Sequence, residues 1–430
     1  MRIGLFTDTY RPSVNGIVFV VESLKTHLEE LGHEVYVFCP ARSIRPSKHA
    51  EVLEEDNHIV RFPSVKSGLF DDFDLSIFFP PRVISQIKKL DLDIVHIFTP
   101  SQVGLVGIQA AYKNNIPFVV QHSTDLYEFS ESYPNVLPGA LALASIILPM
   151  TIKLDGKDFR ELAKLYRPRK GVIKWHKDVI EKGITMLYSR ADAVIALSRK
   201  SKKQLEGWQY SDESRYDVTL LPSGVDAIQP ASPSEIERFK RRHGIDKDDE
   251  VFGFVGRLGE EKNLALLIEA LPFVVRQRPR ARLLFVGDFD FRPTLEKMSA
   301  ASGYGERVTF TGTVQRDELG VAYGTYEVFV FPSLKDTQGW VLHEAAHAGL
   351  PIVLIDREVS EVVEDGKNGY FAQNTAEDVA EKIVELLANE DIRRHFGAYG
   401  RRLAQKFDEL SQTKKIVALY RRLQHEKESK

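Results

Sequence analysis

Two acidic side chains in one short segment, Asp336 and Glu344, are the residues of this sequence best placed to bind a ligand. Asp336 follows a strand-like run and lies in a loop, whereas Glu344, eight positions later, lies early in a helix that we predict to begin near Trp340. Carboxylates accept hydrogen bonds from hydroxyl groups, so one can hold sugar hydroxyls while the other holds ribose hydroxyls. Gly339 leaves room for a phosphate at the helix N-terminus, where unpaired N–H groups favour an anion. The alternative is an acid that favours the helix dipole together with a solvated glutamate.

Basic residues and glycines in two further loops suit the binding of phosphate. In GRLGEEKN, Arg257 and Lys262 flank a short loop between a strand and a helix, and they offer a forked donor and a point charge to a diphosphate. In DTYRPSVNG, Gly16 stands where a helix begins, so the backbone can approach an anion there. A solvated basic pair and an ordinary tight turn are the alternatives for these two loops.

Two short patterns resemble metal sites. The segment HEAAH fits the zinc pattern of a metalloprotease, with His343 and His347 on one helical face and Glu344 as the base. Asp288 and Asp290 form an Asp-x-Asp pair after a strand. No further ligand pattern follows HEAAH, and a solvated turn explains the second pattern, so the sequence favours a site without metal.

The elements that must position these loops alternate between buried strands and helices. Apolar runs without polar alternation, typical of a parallel sheet covered on both faces, are RIGLFTD, EVYVFC, DIVHIF, PFVVQH, AVIALS and VTLLPS in the first half, and VFGFVGR, ARLLFVGD, RVTFTG, EVFVFPS, PIVLID and GYFA in the second. The turn-rich segment SGVDAIQPASP separates the two series. We predict two doubly wound Rossmann-like α/β domains, residues 1–225 and 226–408, facing across a cleft, with a helix within 409–430 packing back on the first domain.

Composition limits the classes of protein and site. A net charge of −3 gives no reason to expect nucleic-acid binding, and the single cysteine, Cys39, excludes an internal disulfide and a cysteine-rich zinc site. The N-terminus lacks an apolar stretch of signal-peptide length, and the longest apolar window, Pro138–Ile152, is shorter than the roughly 20 residues of a bilayer span. A cytoplasmic location is therefore expected.

Taken in order, the motifs resemble those of glycosyltransferase family 4, which comprises retaining enzymes with the GT-B fold. The resemblance rests on NG at 15–16, QHSTDLY at 121–127, GRLGEEKN, and the Asp336/Glu344 segment with AGLPIV, and it runs from Met1 to about Tyr420. It implies that the first domain binds the acceptor, that the second binds a nucleotide-sugar donor, and that no metal cofactor is required.

The resemblance also implies roles for single residues. Arg257 and Lys262, with Gly256, would bind the donor diphosphate, and Asp336, where the family usually has Glu, would bind the donor sugar. Glu344 would bind the ribose. The predicted donor-binding residues are Gly16, Gly256, Arg257, Lys262, Val314, Asp336, Gly339, Trp340, Val341 and Glu344.

Two other regions complete the predicted site. His122 would line the sugar site, and the loop at Thr313 and Val314 would meet the base of the donor through backbone atoms. The predicted catalytic residues are His122, Asp336, Arg257 and Lys262.

A basic stretch in the first half is the candidate region for the acceptor. Between residues 153 and 177 there are nine basic residues against three acids, and apolar side chains repeat at helical spacing. Such a stretch can settle on an anionic bilayer, although a solvated helix face is the alternative. The residues predicted to contact a lipid acceptor or the membrane are Lys153, Lys157, Arg160, Lys164, Arg167, Arg169 and Lys170.

Together these features predict a nucleotide-sugar-dependent, retaining hexosyltransferase that moves glucose from UDP-glucose to a membrane lipid hydroxyl such as that of diacylglycerol. The segment DTQG and the start MRIGLFTDTYRPSVNG resemble the diacylglycerol glucosyltransferase branch of the family. The enzyme would be peripheral on the inner face of the cell membrane. A soluble family 4 transferase acting on a sugar or sugar phosphate, a zinc hydrolase using HEAAH, and a non-catalytic carbohydrate-binding module are the alternatives.

Overall fold

The computed structural model of this 430-residue chain describes residues 1–13, 15–41, 58–66, 74–76, 80–123, 181–209 and 215–429. The chain divides into two compact units. The first comprises Met1–Gly224 together with Glu409–Lys430, and the second comprises Val225–Asp408. The basic stretch predicted to contact lipid, Lys153 to Lys170, lies outside the described residues.

The first unit is built on a sheet of mostly parallel strands. In chain order they are β1 (Arg2–Phe6), β2 (Glu34–Ala41), β3 (Ile59–Lys66), β4 (Asp74–Ser76), β5 (Ile94–Ile97), β6 (Phe118–His122), β7 (Ala193–Ala196) and β8 (Val218–Leu220). Their order in the sheet is β4-β3-β2-β1-β5-β6-β7-β8, and β4 pairs antiparallel with β3. Strands β5, β6 and β7 are buried along their whole length, as the unbroken apolar runs predict.

Helices of the first unit connect these strands. Those with both ends among the described residues are α1 (Gly16–Glu30), α2 (Pro80–Lys89), α3 (Gln102–Asn114) and α4 (Arg199–Gly207), and residues 181–188 before β7 are also helical. Helix α1 begins where it does because Asn15 caps it: the side-chain oxygen of Asn15 accepts hydrogen bonds from the N–H groups of Ile17 and Val18, each at 3.1 Å.

The second unit contains a parallel sheet whose strand order places the chemistry-bearing loops together. Its described strands are β9 (Glu250–Val255), β10 (Ala281–Val286), β11 (Val308–Phe310), β12 (Val328–Phe331), β13 (Ile352–Leu354) and β14 (Gly369–Phe371). They are arranged as β11-β10-β9-β12-β13-β14. Because all of these pairs are parallel, the loops that follow β9, β10, β11 and β12 leave from one edge of the sheet.

The helices of the second unit cover its sheet with an apolar core. They are α5 (Pro233–Arg242), α6 (Ala265–Gln277), α7 (Arg292–Ala301), α8 (Leu319–Gly324), α9 (Trp340–Ala348), α10 (Ala376–Ala388) and α11 (Glu390–Ala404). The core contains Phe252, Phe254, Phe285 and Phe329, all essentially excluded from water. The predicted fold class, doubly wound α/β domains with parallel sheets, is confirmed.

The last helix, α12 (Glu409–Glu428), belongs to the first unit. Its Tyr420 is fully buried, and the Tyr420 hydroxyl lies 2.6 Å from Nδ1 of His96 on β5. A buried polar pair of this kind needs its partner, so the contact fixes the helix to one place on the sheet. Within the described residues, every helix is too short or too polar to cross a lipid bilayer.

Candidate active site

Loops at the carboxyl edge of the second sheet approach one another closely enough to require glycine. The N–H of Gly287, after β10, donates to the carbonyl of Gly312, after β11, at 2.9 Å. A Cβ on Gly287 would lie 1.9 Å from the carbonyl oxygen of Gly256, after β9. The backbones of two predicted donor-binding loops, after β9 and β11, therefore pack directly against the turn after β10, and no side chain fits between Gly287 and Gly256.

An ion pair joins two predicted donor-binding motifs whose residues are 74 positions apart in the chain. The Nζ of Lys262 lies 2.6 Å from Oδ1 of Asp336, and the two side chains are 16% and 17% exposed. The loops are also joined through Asn263, whose side-chain amide donates to the carbonyl of Pro332 at 3.2 Å. The proximity follows from strand order, because β9 and β12 are neighbours in the sheet. A cation predicted to bind diphosphate and an acid predicted to bind sugar thus share one location.

Arg257 is held between an acid and an aromatic ring. Its Nη2 lies 2.7 Å from Oε1 of Glu261, and its guanidinium carbon lies 4.6 Å from the centre of the Phe289 ring. The Arg257 side chain is 47% exposed, so it can reach a ligand from this position. No motif of the sequence pointed to Glu261 or Phe289 as a partner of Arg257.

The start of helix α9 is set by Gly339. This residue has φ +65° in the left-handed region, and a Cβ there would lie 2.8 Å from Cδ1 of Leu342 and 3.2 Å from the ring of Phe331. Gly339, the N-cap residue, has no side chain that could hydrogen-bond to this helix end. The first N–H groups, from Trp340 and Val341 onward, therefore face the site with the positive end of the helix dipole, which is favourable to an anion.

Glu344 lies one turn into α9, and a buried tyrosine orients it. The hydroxyl of Tyr323, on α8, donates to Oε2 of Glu344 at 2.7 Å. Burial raises the pKa of the Glu344 carboxyl, and the hydrogen bond from Tyr323 partly opposes that rise. Tyr323 was not predicted from the sequence, since a tyrosine 21 positions before the acid belongs to no motif.

The geometry of HEAAH does not assemble a zinc site. His343 is fully buried, its Nε2 lies 3.3 Å from the side-chain nitrogen of Gln338, and burial lowers its pKa to about 3. The Nε2 of His347 lies 2.8 Å from the carbonyl of Val225, and Glu344 is hydrogen-bonded to the Tyr323 hydroxyl. In the part of the chain that the structure describes, none of the three belongs to a group of side chains close enough to share a metal ion.

Asp288 and the loop after β11 occupy the remaining positions around the site. Asp288 is 48% exposed and forms an ion pair of 3.0 Å with Arg292, as expected of a solvated turn. Thr313 is exposed, and Val314 is partly buried against the core of the second unit. Both follow Gly312, whose backbone pairs with that of Gly287.

The predicted residues of the first unit lie at the start of α1 and at the end of β6. Gly16 is exposed at the first position of α1. His122, the last residue of β6, is 1% exposed; its Nδ1 lies 3.0 Å from the Tyr188 hydroxyl, and its ring packs edge-on against Trp208. Its placement beside a donor sugar stays a prediction.

A buried acid at the end of β1 was not singled out from the sequence. Asp8 is 4% exposed and accepts hydrogen bonds from the Thr99 hydroxyl at 2.7 Å and from the N–H of Val103 at 2.8 Å. Burial raises the pKa of Asp8 to about 6, although these hydrogen bonds lower it. The carboxylate accepts a hydrogen bond from an N–H group at the start of α3, and it thereby links the end of β1 to the helix that follows the neighbouring strand β5.

Two family descriptions cover most of the chain. "Glycosyltransferase Family 4" matches residues 14–229, and "Glycosyl transferases group 1" matches residues 235–403. The meeting of these two matches falls close to the division between the two compact units.

Named relatives and solved structures agree with this assignment. An alpha-monoglucosyldiacylglycerol synthase of Acholeplasma laidlawii is 29% identical over 91% of this chain and 89% of its own, and one of Streptococcus pneumoniae is 26% identical over 92% and 80%. The fold is similar to that of a sucrose-phosphate synthase from Thermosynechococcus elongatus (TM-score 0.68, 19% identity, 98% of each chain). It is also similar to Anabaena HepE in complex with UDP and glucose (TM-score 0.67, 17% identity, 97% of this chain and 99% of that one). The chain therefore belongs to glycosyltransferase family 4 and is a glycosyltransferase with the GT-B fold.

Proposed function

We propose that this enzyme transfers glucose from UDP-glucose to the hydroxyl of a membrane lipid such as diacylglycerol, with retention of configuration at the sugar. The acceptor is supported by the relatives: two are named alpha-monoglucosyldiacylglycerol synthases, and a third, 26% identical over 96% of this chain, is the sulfoquinovosyl transferase of Arabidopsis thaliana. The observation that carries the donor half is the contact between Lys262 and Asp336, because it unites a phosphate-binding cation with a hydroxyl-binding acid.

The reaction requires stabilisation of the departing diphosphate while the sugar becomes oxocarbenium-like. Arg257 and Lys262 provide two positive charges, and the start of α9 at Gly339 provides N–H groups and a dipole. Charges fixed in advance at the position where negative charge develops are the largest contribution to many enzymatic rates. These groups perform the role that a metal ion performs elsewhere, so we propose transfer without a metal cofactor.

Donor binding exchanges partners within the site. When the ammonium of Lys262 pairs with the diphosphate, its ion pair with Asp336 breaks, and the Asp336 carboxylate can accept hydrogen bonds from sugar hydroxyls. Glu344, oriented by Tyr323, accepts from the ribose with its second oxygen. A nucleotide without its sugar would separate Asp336 from Lys262 and offer the Asp336 carboxylate no sugar hydroxyl in return. A complete nucleotide sugar should therefore bind more tightly than either part alone.

The membrane half of the proposal rests on the basic stretch from Lys153 to Lys170 and on the lipid substrates in the relatives' names. Each basic residue near an anionic bilayer contributes on the order of 1 kcal/mol, so several give reversible attachment at the inner face of the cell membrane. Flotation with anionic and zwitterionic liposomes at low and high salt tests this: binding to anionic vesicles that salt weakens is expected. Equal binding to both, or to neither, would remove the membrane proposal.

The decisive experiment is incubation of the protein with a panel of nucleotide sugars and a total lipid extract. We expect a new glycolipid with UDP-glucose, bearing an α-linked glucose by NMR, and unchanged turnover after chelator treatment. The control is Lys297→Ala, an exposed lysine on α7, which should retain full activity. Transfer only to soluble sugars would refute the lipid acceptor, and loss of activity in chelator that added magnesium or manganese restores would refute the metal-free mechanism.

A further inference from the structure

Phe289 is a large aromatic side chain that remains 39% exposed next to the predicted diphosphate-binding loop. It lies in the turn after β10, between two acidic residues of the segment GDFD. One face of its ring is covered by the guanidinium of Arg257, with 4.6 Å between the guanidinium carbon and the ring centre. At this distance a cation is attracted to the ring face.

The two contacts of Arg257 differ in whether they use an N–H donor of the guanidinium. Glu261 accepts a hydrogen bond from Nη2 at 2.7 Å and so uses one of the five N–H donors of the guanidinium. The ring of Phe289 uses none, because it interacts with the flat face. The two contacts therefore hold the guanidinium on two sides and leave its other N–H donors unused by either, in a side chain that is 47% exposed.

The turn that carries Phe289 is tied to the backbone next to Arg257. The N–H of Leu258 donates to the carbonyl of Asp288 at 3.2 Å, and the N–H of Phe291 donates to the carbonyl of Leu258 at 3.2 Å. The Asp288 carboxylate accepts from the N–H of Phe289 at 2.9 Å and from Arg292 at 3.0 Å. The ring position is consequently fixed relative to the backbone from which the Arg257 side chain extends.

We propose that Phe289 is a positioning residue that holds the Arg257 guanidinium in the orientation needed to bind the donor diphosphate. This rests on the proposed function, in which Arg257 contacts that diphosphate. A long arginine side chain loses rotamer freedom when it binds, and a contact that restricts it beforehand reduces that loss. Phe289 acts through Arg257 and does not itself touch the donor.

The test is a double-mutant cycle on UDP affinity, measured by calorimetry on the full chain. The four proteins are the wild type, Phe289→Leu, Arg257→Ala and the double variant. Leucine keeps an apolar side chain and removes the ring face, so Phe289→Leu should weaken UDP binding about two- to fivefold, the value of an exposed cation–π contact. In the Arg257→Ala background the same substitution should change nothing, and Phe289→Tyr should restore wild-type affinity.

Each other outcome has a defined meaning. If Phe289→Leu weakens UDP binding equally in the Arg257→Ala background, the ring stacks on the nucleotide itself. If Phe289→Leu binds UDP with wild-type affinity, the ring makes no contribution to binding. Either result overturns the proposal. Unchanged affinity in Arg257→Ala would instead refute the diphosphate role assigned under the proposed function. Tyr112→Ala, an exposed tyrosine of the first unit at 53% exposure, is the matched control and should bind UDP normally.

Discussion

The ion pair between Lys262 and Asp336 allows stability and catalysis to be separated by mutation. Replacing Lys262 with Ala removes the ammonium and leaves the Asp336 carboxylate only 17% exposed, without the cation that lies 2.6 Å away. We expect the protein to fold but to melt at a lower temperature, and to lose most of its transfer activity. Both losses are large enough to measure independently.

The stability loss follows from the burial of the pair. Two unit charges 2.6 Å apart attract by about 6 kcal/mol at an effective dielectric constant of about 20. Dehydration of both groups offsets most of this. Buried pairs cost about 3–5 kcal/mol to break and exposed pairs about 0–1 kcal/mol, so a pair at 16–17% exposure should cost about 2 kcal/mol. For a unit of this size that corresponds to a fall in Tm of about 4–8 °C.

The activity loss has a different origin. Removal of one group that stabilises developing charge typically lowers kcat by about 10²–10³-fold. Glucose transfer should be measured below the melting temperature of both proteins, with circular dichroism giving the folded fraction. Only a loss that remains after this correction reports on catalysis.

Asp336→Asn is the matched variant for this experiment. It breaks the same ion pair and should lower Tm by a similar amount, but it retains the ammonium of Lys262. UDP affinity should therefore be kept or increased, while affinity for UDP-glucose relative to UDP falls. A Lys262→Ala enzyme with the wild-type rate would mean that the diphosphate binds elsewhere, and unchanged Tm in both variants would mean that the pair does not form in solution.

Three further perturbations test separate parts of the site and fold. Tyr323→Phe removes one hydrogen bond to the Glu344 carboxylate, worth about 1.5–3 kcal/mol, so it should weaken UDP binding roughly tenfold or more. The affinity for 2′,3′-dideoxy-UDP, which lacks the ribose hydroxyls, should be unchanged, and equal losses for both ligands would disprove the ribose role of Glu344. Gly339→Ala should lower Tm more than Gly366→Ala, because both glycines have φ near +65° but only the Cβ added at Gly339 would lie within 3 Å of other atoms. Equal shifts of Tm in the two variants would contradict this prediction. Burial raises the pKa of Asp8 from its ordinary value of 3.8 to about 6, so the contribution of Asp8 to the free energy of unfolding should fall by about 3 kcal/mol as pH rises from about 4 to 6. Urea titrations of Asp8→Asn should lack this pH dependence, and parallel pH curves for wild type and variant would contradict the prediction.

Much of the architecture was readable from local patterns. Unbroken apolar runs predicted β5, β6 and β7, because strands buried on both faces need no polar alternation. Strands β3 and β4 were missed, since IVRFPSVK is neither an unbroken apolar run nor regularly alternating and contains Pro63, and the three residues of β4 are too few for a pattern. The start of α9 at Trp340 was predicted from the loop before it and agrees with the structure.

The sequence by itself determined which residue types lie at the carboxyl edge of each sheet, because each chemical motif follows a strand and parallel strands end at one edge. It could not determine which partner each side chain contacts. The contacts of Lys262 with Asp336, of Arg257 with Phe289 and of Tyr323 with Glu344 join residues on different loops and helices. Those contacts depend on the order of strands in the sheet and on the rotation of each helix, which only long-range packing of the core decides. The same packing buried His343 and turned His347 to a carbonyl, so the letters HEAAH specify a zinc pattern that the tertiary structure does not assemble.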